Sequence, residues 1–127
     1  MTPYDVIIPA DLKPFPAHYE ISAAKLLAKY FQTDVEFITR TNHKTADFFI
    51  DDSEWELKSP TGSSKYNIQH QLKDAAKQSS NVVLDARRSK IHIARIRKDA
   101  QFHFSTIKPI KRLILINKRG EVVELTK

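Results

Sequence analysis

The run Ala46-Asp47-Phe48-Phe49-Ile50-Asp51-Asp52-Ser53-Glu54-Trp55-Glu56-Leu57-Lys58 decides the fold. Apolar and polar residues largely alternate on both sides of Asp51-Asp52, the mark of two strands with a tight turn between them. A two-residue loop sets Ile50 opposite Ser53 and therefore Asp47 opposite Glu56. Glu56 and Lys58 share a face by the same alternation. Directly opposed residues hold their Cβ atoms roughly 4.5–5.5 Å apart, so two carboxylates and an ammonium converge. The other face sends Phe48, Ile50, Trp55 and Leu57 into a core.

Upstream, Asp34-Val-Glu-Phe-Ile38 alternates as a further strand, and Ala17 to Phe31 carries a helical stripe of Ile21, Ala24, Leu27, Ala28 and Phe31. Glu20 lies on that stripe. A carboxylate there needs a partner or a metal if it is buried; half-buried near a helix N-terminus, it is simply favoured by the dipole. The pattern leaves both readings open. Residues 1–16 carry Pro3, Pro9, Pro14 and Pro16, which deny a continuous helix or central strand and leave an extended lead-in with a turn around Asp11.

Downstream, Ser59-Pro-Thr-Gly-Ser-Ser64 is a loop. Lys65 to Ser79 is a second amphipathic helix with Ile68, Leu72, Ala75, Ala76 and Ser79 inward, and Asn81-Val-Val-Leu-Asp85 is a short strand. Lys90 to Ile107 is read as a helix through Ile93, Ile96, Ala100 and Phe104, in preference to a strand. Arg112-Leu-Ile-Leu-Ile116 and Glu121-Val-Val-Glu-Leu125 form a terminal hairpin around Asn117-Lys-Arg-Gly120. The expected fold is α/β (α+β): a core in the order α-β-β-β-α-β with a mixed central sheet, then a further helix and a C-terminal β-hairpin. One domain is expected over 17–127.

A chain of 127 residues, 41% hydrophobic and 28% charged, suits one globular domain and neither a disordered tail nor a membrane protein. No apolar run reaches the roughly 20 residues of a bilayer-spanning helix, and Met1-Thr-Pro-Tyr-Asp5 lacks the layout of a secretory signal. The absence of cysteine excludes disulfides, thiolate zinc sites and cysteine nucleophiles. Lys plus Arg number 21 against 15 Asp plus Glu, a net +6 that favours a polyanionic partner such as nucleic acid. The basic surplus falls after Lys58, whereas acids crowd between Asp34 and Glu56. Arg87, Arg88, Lys90, Arg95, Arg97 and Lys98 form either a nucleic-acid track or a solvated face. His18, His43, His70, His92 and His103 show no metal-ligand spacing; His18 and His70 are kept as possible neighbours of a site.

The element order, with Thr45-Ala-Asp47 on the second core strand and Trp55-Glu-Leu-Lys58 on the third, resembles the PD-(D/E)XK nuclease superfamily, Ala46 standing where its name has proline. A closer similarity runs from about His18 to the end. Its phrases are Asp34-Val-Glu-Phe37, Ala46-Asp-Phe-Phe-Ile50, Trp55-Glu-Leu-Lys-Ser-Pro-Thr-Gly62, the helix with Gln71 and Gln78, and Val83-Leu-Asp85. Together they look like the C-terminal tRNA-nuclease domains of contact-dependent growth inhibition toxins of the CdiA type, and the string from Trp55 to Gly62 is the most specific. This resemblance implies a metal-dependent endonuclease acting on RNA, above all tRNA. It implies a domain that usually ends a longer protein, works in the cytoplasm of a target cell and meets an immunity protein, which charge complementarity makes acidic. It assigns Asp47 and Glu56 as ligands of Mg2+ or Mn2+ with the Leu57 carbonyl a third. Lys58 falls on the scissile phosphate and the attacking water, and Glu20 is an additional acid from the first helix.

Hydrolysis of a phosphodiester needs exactly placed charge, and a divalent ion on hard oxygen ligands supplies it. Ser59, Thr61 and Ser63 with Gly62 make a polar loop suited to phosphate contacts, although any surface loop has this composition. Gln71 and Gln78 share one side of their helix and either reach the substrate backbone or face solvent. The bland counterpart of the trio Asp47, Glu56 and Lys58 is a cross-strand ion-pair cluster worth under ~1 kcal/mol per exposed pair. Three rival functions remain: a DNA endonuclease, because these residues do not sense a 2′-hydroxyl; a metal-independent RNase; and a non-catalytic nucleic-acid-binding domain.

Overall fold

The computed structural model describes residues 4–39 and 46–127, so Met1 to Pro3 of the lead-in, His43 and Thr45 lie outside the described residues. The elements run β1 (Val6–Ile7), α1 (His18–Phe31), β2 (Val35–Phe37), β3 (Phe48–Ile50), β4 (Ser53–Lys58), α2 (Asn67–Ala76), β5 (Asn81–Asp85), α3 (Ile93–Thr106), β6 (Arg112–Ile116) and β7 (Val122–Leu125). From α1 onward this is the expected order.

The β3–β4 hairpin takes the register that its turn dictates, with Ile50 opposite Ser53, Phe49 opposite Glu54 and Phe48 opposite Trp55. Asp51 and Asp52 both adopt positive φ, 51° and 66°, as a type I′ loop requires, and aspartate is among the side chains that tolerate it. The seven strands stand in sequence order, β1 to β7. Three pairs are parallel, β1 with β2, β4 with β5 and β5 with β6. Each is bridged by a helix, because parallel neighbours need a crossover.

β5 and β6 read as continuous apolar runs because both their faces are covered. Val82, Leu84, Leu113 and Leu115 pack under α2 and α3 with Leu72, Ile96 and Phe104. Val83, Ile114 and Ile116 face the other way, toward Ala24 and Leu27 of α1 and the hairpin residues Phe48, Ile50, Trp55 and Leu57. Among the described residues no helix is long and apolar enough to cross a membrane.

Several boundaries differ from the sequence reading; β3, for one, begins at Phe48 and not Ala46, so Asp47 precedes it. Part of the proline-rich lead-in joins the sheet: β1 pairs with β2 at its edge, the position where prolines do least harm. The second helix is shorter than Lys65 to Ser79. Tyr66 is its N-cap, and past Ala76 the Ser79 hydroxyl and the Asn81 amide both donate to the Glu54 carbonyl, drawing the chain onto β4. The third helix begins at Ile93, not Lys90, since His92 caps it by accepting the Ala94 N–H on Nδ1 at 3.2 Å.

Candidate functional site

β4 is shared between two neighbours. Residues 53–55 pair with β3, and residues 56–58 pair with β5. Where β3 parts from β4, Asp47 bridges the opening. Its N–H donates to the Trp55 carbonyl at 3.0 Å, and its Oδ2 accepts the Leu57 N–H at 2.7 Å, a side chain continuing the ladder that the backbone leaves. The fork thus buries two acids, Asp47 at 8% exposure and Glu56 at 4%. A buried carboxylate is costly without a compensating cation or donor.

Lys58 supplies part of that compensation, its Nζ lying 3.6 Å from Glu56 Oε2. It comes closer to Asp74 of α2, whose Oδ2 accepts from it at 2.9 Å. That hydrogen bond, and then the Lys58 charge, hold the Asp74 carboxyl below its ordinary pKa. Asp74 is the lone acid of its helix, flanked by Lys73 and Lys77. That isolation is the one sequence signal that could have singled it out.

Asp47, Glu56, Leu57 and Lys58 line one polar cavity of about 270 Å³, with Tyr19 and Glu20 of α1 on one side and Ser59 and Gln78 on the other. Glu20 is half-buried at the start of α1, as the second of its sequence readings has it: its Oε1 accepts the Ala17 N–H at 2.8 Å to cap the helix, and its side chain also lines this cavity. Ser59 Oγ and Gln78 Oε1 are buried with no hydrogen-bond partner among the described residues, and such groups in a cavity are places for a ligand to fill. Among the described residues, no group of three or more His, Asp or Glu is gathered for a metal. Two buried carboxylates facing one polar space do fit a hard divalent cation that keeps part of its water shell.

The remaining predicted residues fall around this centre. Thr61 is exposed on the loop beyond Ser59, and Gln71 is half-buried on α2; neither lines the cavity. Arg88 is exposed, with its guanidinium carbon 3.8 Å from the centre of the Tyr19 ring, and shares a neighbouring cavity of about 360 Å³ with His18, Tyr19, Ser22 and Arg87. Arg87 is committed elsewhere: it forks onto the buried Asp85 and donates to Ser22 Oγ at 2.7 Å and the Tyr19 carbonyl at 3.3 Å. Lys90, Arg95, Arg97 and Lys98 are all exposed, Arg95 beside Asp99 at 3.5 Å. Tyr19, which lines both cavities, was not singled out from the sequence.

A mixed seven-stranded sheet flanked by three helices, with two buried acids and a lysine at the fork of one strand, defines an α+β domain with an enzyme-like cleft. The chain belongs to the contact-dependent growth inhibition CdiA C-terminal domain family, whose model matches residues 44–122, and is a toxin domain of that system. Its fold is similar to that of a chain in the CdiA-CT/CdiI toxin and immunity complex from Burkholderia pseudomallei. The TM-score is 0.70 at 19% identity, over 98% of this chain and 99% of that one. No curated protein sequence matches the chain significantly.

Proposed function

We propose that this toxin domain is a metal-dependent endonuclease of the PD-(D/E)XK type that cleaves RNA, with tRNA its foremost substrate, in a cell to which a larger CdiA protein delivers it. The observation that carries this reading is the meeting of Asp47, Glu56 and Lys58 in one polar cavity at the β4 fork. Hydrolysis needs a water in line with the leaving oxygen and positive charge against the developing phosphorane. Asp47 and Glu56, with the Leu57 carbonyl, would hold magnesium or manganese, which supplies Lewis-acid charge when bound. Lys58 exchanges Asp74 for the scissile phosphate and, as an ammonium donor, orients the attacking water. Glu20 adds a carboxylate from α1. Ser59, Thr61, Gln71 and Gln78 contact the sugar-phosphate backbone, and Arg88 a flanking phosphate. A net charge of +6 supports a polyanionic substrate.

The toxin and immunity complex from Burkholderia pseudomallei supports a second partner, an immunity protein. For this basic chain it would be acidic. Total tRNA and supercoiled plasmid, incubated with magnesium or manganese, with EDTA, and with the Glu56→Ala variant, test the activity. Loss of tRNA only with metal and intact Glu56 is the expected result. Plasmid nicking under the same controls moves the substrate to DNA, and cleavage that survives both EDTA and Glu56→Ala defeats the metal reading.

A further inference from the structure

The helix beside the cavity carries a second set of groups. Tyr66, His70, Asp74 and Gln78 recur every fourth residue, so they form one row along α2 and its C-terminal turn, rising about 6 Å per step. Gln78 lines the cavity and Asp74 holds Lys58, while the next two places outward are aromatic. The Tyr66 ring, 52% exposed, stacks on the His70 imidazole with centroids 6.4 Å apart and planes at 27°. Lys65 Nζ stands 5.0 Å from its centroid. Folding gives no reason for that ring. Tyr66 occupies the N-cap, where Ser, Thr, Asp or Asn serve best, and its side chain makes no capping bond. Exposed Lys73 and Lys77 add positive charge to the same helix.

We propose that Tyr66 and His70 form a stacking platform for an unpaired base of the RNA substrate near the scissile bond, with Lys65 on its phosphate. This rests on the nuclease reading of the adjoining cavity. Every base has a π face, so such a platform favours looped or single-stranded RNA over duplex with little regard to sequence. Lys65 adds cation–π attraction and backbone charge.

The test uses the cleavage-deficient Glu56→Ala chain with magnesium, fluorescein-labelled tRNA, a single-stranded RNA and a duplex RNA of the same length, read by anisotropy. Adding Tyr66→Ala is expected to weaken tRNA and single-strand binding about 5- to 150-fold. Tyr66→Phe, which keeps the ring, is expected to restore it, with duplex affinity unchanged throughout. RNA affinity indifferent to Tyr66→Ala, or reduced equally for duplex, overturns the platform and leaves the nuclease reading intact. No RNA binding by the Glu56→Ala chain together with no cleavage by the wild type overturns both. Loss of immunity-protein binding on Tyr66→Ala at unchanged RNA affinity also overturns the platform and assigns the row to that protein.

Discussion

Two neighbouring strands each carry, near the C-terminal end, an acid two residues before a base: Glu56 with Lys58 on β4, and Asp85 with Arg87 at β5. The second pair is closed. Arg87 donates through Nε to Asp85 Oδ1 at 2.9 Å and through Nη2 to Oδ2 at 2.8 Å, while Ser22 Oγ and the Tyr19 carbonyl of α1 accept two more of its N–H groups. Asp85 is wholly buried, and its hydrogen bond raises the Arg87 pKa further. The first pair is open. Lys58 lies 3.6 Å from Glu56 and gives its short contact to Asp74, a carboxylate 60% exposed. The same charge spacing yields a bolt in one case and, in the other, a cation divided between two carboxylates. A planar guanidinium fork saturates one carboxylate, whereas an ammonium on a flexible stem exchanges partners.

The largest effect that would test this contrast is catalytic. Lys58→Ala is expected to lower tRNA cleavage about 10²- to 10⁴-fold while costing no more than about 1 kcal/mol in urea titration; a collapse of stability would make Lys58 a bolt as well. Next comes the closed pair. Arg87→Ala strands a buried carboxylate and is expected to cost about 3–5 kcal/mol in denaturant titration, with Arg87→Lys recovering only part because it lacks the fork. Unchanged stability with weaker RNA binding would instead move Arg87 into the substrate track.

Asp47 belongs to both behaviours, since it ties the Leu57 N–H and lines the cavity. Asp47→Ala is expected to lose cleavage together with about 1.5–3 kcal/mol of stability, the worth of a hydrogen bond to a charged group. Asp47→Asn keeps an acceptor and should regain much of the stability but not the cleavage, as paired melting and gel assays would report.

The smallest effect is the pH dependence of the Lys58–Asp74 contact. A carboxyl held below its ordinary value of 3.8 binds fewer protons when folded. Its stabilisation is therefore present above that pH and disappears as pH falls through the depressed value. Solvent screening keeps the effect below about 1 kcal/mol. Acid titrations of the wild type and Asp74→Asn should differ only on that limb, and less so in high salt.

The open pair was legible early because its parts are close in the chain. Alternation and a two-residue turn suffice to set the hairpin register and bring Glu56 and Lys58 to the face of Asp47. The apolar spacing of Ile96, Ala100 and Phe104 likewise outlines α3, 14 residues long. The closed pair was not legible, because an Asp-Ala-Arg run reads equally well as a loose basic segment until α1 offers Ser22 and the Tyr19 carbonyl. The ends of α2 escaped for a similar reason. Its stripe continues to Ser79, yet Ser79 and Asn81 are claimed by the Glu54 carbonyl of another strand.

The sequence by itself determined the order of the elements from α1 onward and the convergence of Asp47, Glu56 and Lys58, since both follow from side-chain periodicity and one tight turn. Only the tertiary structure decided the partners of the two cations: Arg87 is closed onto Asp85 and α1, and Lys58 is shared between Glu56 and Asp74. Lys58 meets Asp74 across 16 residues and Arg87 meets Ser22 across 65, contacts that exist only once α1 and α2 are packed against opposite sides of the sheet. Local pattern places charges on a face; long-range packing chooses their partners.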